Sequence, residues 1–158
     1  PTQICITTPG TYFDHSHAGG LGWSSGAALG AKLAAPDKTI ICCIGDGTYT
    51  FGVPVATHQM SAMHELPVLF VIYNNAAWDR TRRGSRHVSK QGYVVATPDI
   101  PLCELEPAPA YEKVCEAAGG YGERVEDAAE LPAALVRGLK VVRDEGRQAL
   151  LNVICSKA

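Results

Sequence analysis

The chain alternates short, unbroken apolar runs with longer stretches in which apolar residues recur every three or four positions. The runs at residues 39–44 and 67–73, Thr-Ile-Ile-Cys-Cys-Ile and Pro-Val-Leu-Phe-Val-Ile-Tyr, lack the polar alternation of a half-exposed strand. They read as strands covered on both faces, as in a parallel sheet flanked by helices. Residues 149–155 close the chain with a third such run, and residues 3–7 and 121–125 read as shorter strands. Helical spacing occupies residues 21–35, 53–65, 111–118 and 131–142. The first of these places Gly22, Gly26 and Gly30 along one face, where a neighbouring backbone can approach. The second has Pro54 in its first turn, Ala56, Met60 and Met63 on its apolar side, and His58 and His64 expected at its surface. The third stops at Gly119-Gly120. The fourth begins near Pro132 and aligns Leu131, Leu135, Leu139 and Val142. Residues 9–20 form a loop, and residues 76–109, rich in Arg and Pro, read as a long irregular segment of the kind that is usually functional or mobile.

This order, β-α-β-α-β-loop-α-β-α-β, predicts one α/β domain with three αβα layers: a mostly parallel sheet with helices on both faces. A chain of 158 residues is long enough to bury a proper core. Its 46% hydrophobic and 19% charged content excludes disorder, and a net charge of -2 gives no general reason to expect nucleic acid or a membrane surface. No apolar run reaches bilayer length. The six cysteines contain no Cys-x-x-Cys pair, and Cys5, Cys42, Cys43 and Cys155 sit in apolar runs. They read as small buried residues in a reducing, cytoplasmic setting. The first residue, Pro1, is consistent with methionine removal or with excision from a longer polypeptide, and the chemistry below favours the second.

That chemistry lies in Gly45-Asp46-Gly47 and Asn74-Asn75, which follow two consecutive predicted strands. Parallel sheets bind ligands at the carboxyl ends of their strands. Gly47 permits a tight turn there, and the amides of Gly45, Gly47 and Thr48 can donate to phosphate oxygens. The Asp46 carboxylate, the Asn75 side-chain oxygen and the Ala77 carbonyl would give Mg²⁺ three protein ligands, leaving room for two diphosphate oxygens and a water. The alternative is a Gly-Asp-Gly turn and an unrelated polar turn.

These motifs resemble the diphosphate-binding domain of thiamine diphosphate-dependent enzymes, in the group of acetolactate synthase, benzoylformate decarboxylase and benzaldehyde lyase. The resemblance rests on Gly45-Asp46-Gly47 closing at Asn74-Asn75, and on Gly19-Gly20-Leu21-Gly22 leading into Gly26-Ala27-Ala28-Leu29-Gly30. It covers nearly the whole chain and implies the thiamine diphosphate-binding fold. It also implies roles. Asp46, Asn75 and Ala77 would hold Mg²⁺, and Gly45, Gly47 and Thr48 would touch the diphosphate. Gly19, Gly20 and Leu21 would meet the cofactor, Leu21 propping it into its bent form and the Gly19 carbonyl accepting from its amino group. The bend makes deprotonation of the reacting carbon intramolecular.

The resemblance further implies a 2-oxo acid or 2-hydroxy ketone substrate, a homodimer or tetramer, and a pyrimidine-binding domain of the same or another chain. That domain carries the family's catalytic glutamate, and nothing in this chain matches it. Residues 1–158 would then be a fragment or one subunit of a larger enzyme, inactive alone and weak in cofactor affinity. The gap from Asp46 to Asn75 exceeds the family pattern, with the extra residues near Phe51-Gly52-Val53-Pro54. A non-catalytic nucleotide- or phosphate-binding module is the alternative.

Three further features carry weaker signals. His15 and His17 have metal-ligand spacing without further ligands, which reads as a solvated loop. The resemblance places them near the reacting carbon as candidates for substrate contact or proton transfer. Arg80, Arg82, Arg83, Arg86 and Lys90 form a basic run that reads as a solvated or partner-contacting loop. Tyr73 and Trp78 are expected to pack in the core or near the cofactor.

Overall fold

The computed structural model describes residues 5–14, 20–97 and 102–157, apart from the Val94 side chain. Four strands form its sheet: β1 (Ile40–Gly45), β2 (Val68–Asn74), β3 (Tyr121–Val125) and β4 (Ala149–Ile154). They lie in the order β1-β2-β4-β3, and every pair is parallel. Gln3 and Ile4 lie outside the described residues, and residues 5–7 form no strand, contrary to the expected fifth strand. β1 is therefore an edge strand among the described residues.

Helices cover both faces. On one face α1 (Trp23–Ala34), α2 (Asp46–Phe51), α3 (Pro54–Met63) and α6 (Tyr111–Ala117) meet a core of Leu29, Ile44, Tyr49, Phe70, Ile72, Cys115 and Leu150. On the other, α7 (Leu131–Asp144) packs Ala134, Val141 and Val142 on Leu69, Val71, Leu151 and Val153. Gly138 sets that approach, since a Cβ there would stand 2.9 Å from Leu69 Cδ1. α7 leaves Ile41 and Cys43 of β1 exposed. Cys42 and Ile44 are buried under α1, whereas Ile41, Cys43 and the neighbouring Tyr73 are exposed on the opposite face. The expectation that the 39–44 run is covered on both sides fails there: the run is as apolar as β2, but it sits at an edge.

Other local expectations change as well. Gly26 and Gly30 face open space, so only Gly22 of the glycine series makes a close approach. The Gly-Asp-Gly segment is a strand end running directly into α2, with Gly45 as N-cap. α3 buries Thr57, His58 and Ser61, while Ala56, Met60 and Met63 are exposed. His58 is fully buried rather than at the surface, and His64 is exposed. Residues 76–109 are not wholly irregular, because they contain α4 (Asp79–Val88) and α5 (Tyr93–Ala96). α4 buries none of its residues. Salt bridges from Asp79 to Arg82 and to Arg83, both at 2.6 Å, support it at helical spacing. Of the cysteines, Cys42, Cys103 and Cys115 are buried and Cys5 and Cys43 exposed. Burial pushes the Cys42 and Cys115 thiols up to about 12, which leaves them unreactive.

Candidate functional site

Strand register builds the site. Gly45 on β1 stands opposite Tyr73 on β2, so Asp46 emerges beside Asn74-Asn75. Asp46 opens α2 and is 2% exposed. Its Oδ2 has no hydrogen-bond partner. The amides of Gly47, Ala76 and Ala77 point toward the carboxylate and favour its charge, but burial outweighs them and raises its pKa. The Ala76 and Ala77 hydrogens are already committed: Ala76 N–H donates to Asn74 Oδ1 at 3.0 Å and Ala77 N–H to Asn75 Oδ1 at 3.2 Å. Oδ2 is left bare.

A buried carboxylate oxygen without a partner is costly unless a cation joins it. The donor set fits a hard cation, with an anionic oxygen at Asp46, an amide oxygen at Asn75 that retains a second lone pair, and backbone carbonyls in the same turn. Ala76 adopts φ 52 there, a left-handed conformation that a non-glycine residue takes only when its surroundings impose it. The Ala76 carbonyl accepts from Leu105 N–H, and Trp78 N–H donates to the Cys103 carbonyl, both at 2.8 Å. These bonds impose the turn. The two halves of the motif thus stand side by side at adjacent strand ends.

Gly47 serves a different purpose from the expected turn. It lies in α2 against Trp78, and a Cβ would stand 2.7 Å from Trp78 Cε3. Trp78 also meets Phe51 edge to face at 6.4 Å, while Phe51 and Val53 remain exposed. Gly47→Ala is expected to displace the indole and cost about 1–3 kcal/mol. Thermal unfolding of the variant measures that loss.

Leu21 is half exposed in the turn before α1. Its neighbour Gly22, with φ 86, packs on the residues after α2: a Cβ on Gly22 would stand 2.8 Å from Gly52 Cα. The glycine block is thereby held to the 51–54 segment where the extra residues were expected. Gly20 is described and exposed, while His15, His17 and Gly19 lie outside the described residues. Thr48 and Gly45 are partly exposed at the same strand end, and a side chain at Gly45 would meet only open space.

Sequence reasoning missed Asn152 and Glu112. Both are buried, and Asn152 joins Asn74 to Glu112 beneath the site. Polar residues at strand and helix positions facing the core were the available signal.

A parallel α/β sheet carrying a bare buried aspartate and an asparagine turn at adjacent strand ends has the donor set that a metal-bound phosphate group requires. The family model for the thiamine pyrophosphate enzyme C-terminal TPP binding domain matches residues 2–153. The chain belongs to this family of thiamine diphosphate-dependent enzymes. It is 34% identical over 92% of its length to a probable acetolactate synthase of Mycobacterium bovis, covering 24% of that protein. It is 33% identical over 89% of its length to benzoylformate decarboxylase of Pseudomonas aeruginosa, covering 25% of it. It is 31% identical over 98% of its length to 2-hydroxyacyl-CoA lyase 2 of Danio rerio, covering 22% of it. The solved thiamine diphosphate-dependent 4-hydroxybenzoylformate decarboxylase of Rhodococcus jostii shares the fold. Its TM-score is 0.70 at 24% identity, over 89% of this chain and 24% of that one. The chain thus spans about a quarter of the length of these relatives. Family membership supports an enzyme domain over a non-catalytic phosphate-binding module. Among the described residues, no helix is long and apolar enough to cross a membrane.

Proposed function

We propose that this chain is the metal- and diphosphate-holding part of a thiamine diphosphate-dependent enzyme that acts on 2-oxo acids or 2-hydroxy ketones by decarboxylation, carboligation or C–C cleavage. The observation that carries the reading is the buried Asp46 carboxylate, with an unpartnered oxygen, beside the Asn75–Ala77 turn. Asp46, Asn75 and the Ala77 carbonyl would hold Mg²⁺. Gly45 at the strand end and Gly47 and Thr48 in the first turn of α2 would meet the diphosphate oxygens. Leu21, exposed and fixed through Gly22 against Gly52, would support the cofactor from the side. When bound, thiamine diphosphate supplies the acidic carbon and the electron sink for breaking or making a bond next to a carbonyl. This chain's part is to anchor and orient. The group that activates the aminopyrimidine would come from a pyrimidine-binding domain of the same or another chain, and a homodimer or tetramer would complete the site.

Calorimetry of the chain with thiamine diphosphate and with ADP, each with and without Mg²⁺, tests this. The expected result is weak, strictly Mg²⁺-dependent binding of thiamine diphosphate in preference to ADP. Turnover of a 2-oxo acid is expected only after a pyrimidine-binding domain is added. Equal binding of ADP, with no turnover under any supplementation, would establish the phosphate-binding module instead.

A further inference from the structure

Three buried side chains outside the ligand set form a directed hydrogen-bond chain ending on the metal-binding turn. Glu112 lies in the first turn of α6, Asn152 in β4 and Asn74 at the end of β2, and all three are buried. Asn152 Nδ2 donates to Glu112 Oε2 at 2.7 Å. Asn74 Nδ2 donates to Asn152 Oδ1 at 3.0 Å. Ala76 N–H donates to Asn74 Oδ1 at 3.0 Å.

We propose that Glu112 and Asn152 are positioning residues for the Asp46–Asn75–Ala77 site, fixing through Asn74 the turn that presents its ligands. This rests on the metal-site reading above. The two ends of an asparagine amide are nearly equal in size, so sterics alone leave either orientation open. Polarity decides between them. The Glu112 carboxylate oxygen accepts from the Asn152 amino group. Asn152 must then turn its oxygen toward Asn74, and Asn74 its oxygen toward Ala76. With Asn74 reversed, its amino group would face the Ala76 N–H, donor against donor. That bond matters because Ala76 sits at φ 52, a region a non-glycine residue does not hold unaided. The Asn74 carbonyl also accepts from Cys155 N–H at 2.7 Å, so its backbone is pinned and its side chain is the adjustable joint.

The test removes one joint and then reverses it. Asn152→Leu removes the acceptor that Asn74 faces. Asn152→Asp combined with Glu112→Gln reverses donor and acceptor at the Glu112 contact and keeps an acceptor facing Asn74. Two readouts are taken on the whole chain: hydrogen exchange of the Ala76 amide, and Mg²⁺-dependent thiamine diphosphate binding by calorimetry. In Asn152→Leu, and in Glu112→Leu, Ala76 exchange is expected to rise by about tenfold or more and binding to weaken about tenfold, the usual scale for groups that orient metal ligands. The double variant should keep both near wild type. If Asn152→Leu and the double variant are equally impaired, or if Ala76 exchange is unchanged when Glu112 is replaced, the relay does not position the turn. A double variant that fails to fold where the wild type does would overturn the relay as well. The exchange readout needs no ligand. If thiamine diphosphate does not bind even the wild type, the metal-site reading falls while exchange still decides the relay.

Discussion

Asp46→Asn is expected to stabilise the ligand-free chain and to abolish cofactor binding at once. Asp46 is 2% exposed, its Oδ2 has no partner, and burial raises its pKa. An unpaired buried charge is a liability that a neutral isostere removes. Melting of the ligand-free variant should rise by about 2–4 °C for each kcal/mol gained in a domain of this size. The same carboxylate is the one anionic ligand assigned to Mg²⁺, and removing one partner of a buried charge pair costs about 3–5 kcal/mol. Affinity for thiamine diphosphate with Mg²⁺ should therefore fall on the order of 100-fold or more. Differential scanning calorimetry and titration calorimetry on one preparation measure both. A residue with a merely structural role would lose stability when replaced. A variant that melts lower than wild type, or that still binds, would remove Asp46 from the metal.

How far the site could be read in advance follows from where its parts lie in the chain. Asp46 and Asn75 were legible because each directly follows an apolar run, and parallel register places adjacent strand ends together. The helix after Asp46 was not. Thr48, Tyr49, Thr50 and Phe51 favour strands by propensity, and Tyr49, the core-facing residue among them, sets no period. α3 was legible as a helix and misread in orientation. Its buried side is Thr57, His58 and Ser61, which enter the core because each finds a hydrogen-bond partner there. Those partners include Gln148, ninety residues away, and no local pattern marks such a pairing. Glu112 and Asn152 were marked as polar residues at core-facing positions, but nothing local marked them as partners of each other. α4 has no apolar side at all, so periodicity could not find it. The open outer face of β1 was hidden because Ile41 and Cys43 are as apolar as the residues α7 covers on β2.

The buried His58 makes the second large effect one of pH. Gln148 Nε2 donates to the His58 carbonyl at 2.9 Å, which turns Gln148 Oε1 toward His58 Nδ1 at 2.6 Å. An amide oxygen only accepts, so the proton sits on Nδ1, and Nε2 accepts from the Tyr49 hydroxyl at 2.7 Å. The neutral ring is fully satisfied, packed edge to face on Phe70 at 5.0 Å. Burial lowers its pKa below the ordinary 6.5, the Gln148 bond only partly opposing it. In the unfolded chain His58 takes up its proton near 6.5, so below that pH the unfolded state binds more protons than the folded one. The stability contributed by the neutral ring is complete above about pH 6.5 and is lost as pH falls from there through the folded-state pKa. The slope approaches about 1.4 kcal/mol per pH unit in that interval. His58→Phe should remove this slope. It should also lower stability at pH 7.5 by about 2–4 kcal/mol, because Tyr49 and Gln148 each lose a buried partner. Combining it with Tyr49→Phe and Gln148→Leu should recover part of that loss. His64→Gln, on the exposed end of α3, should leave stability at pH 7.5 unchanged. Urea titrations from pH 5 to pH 8 decide the matter: a His58→Phe variant that keeps the wild-type slope would place the titrating group elsewhere.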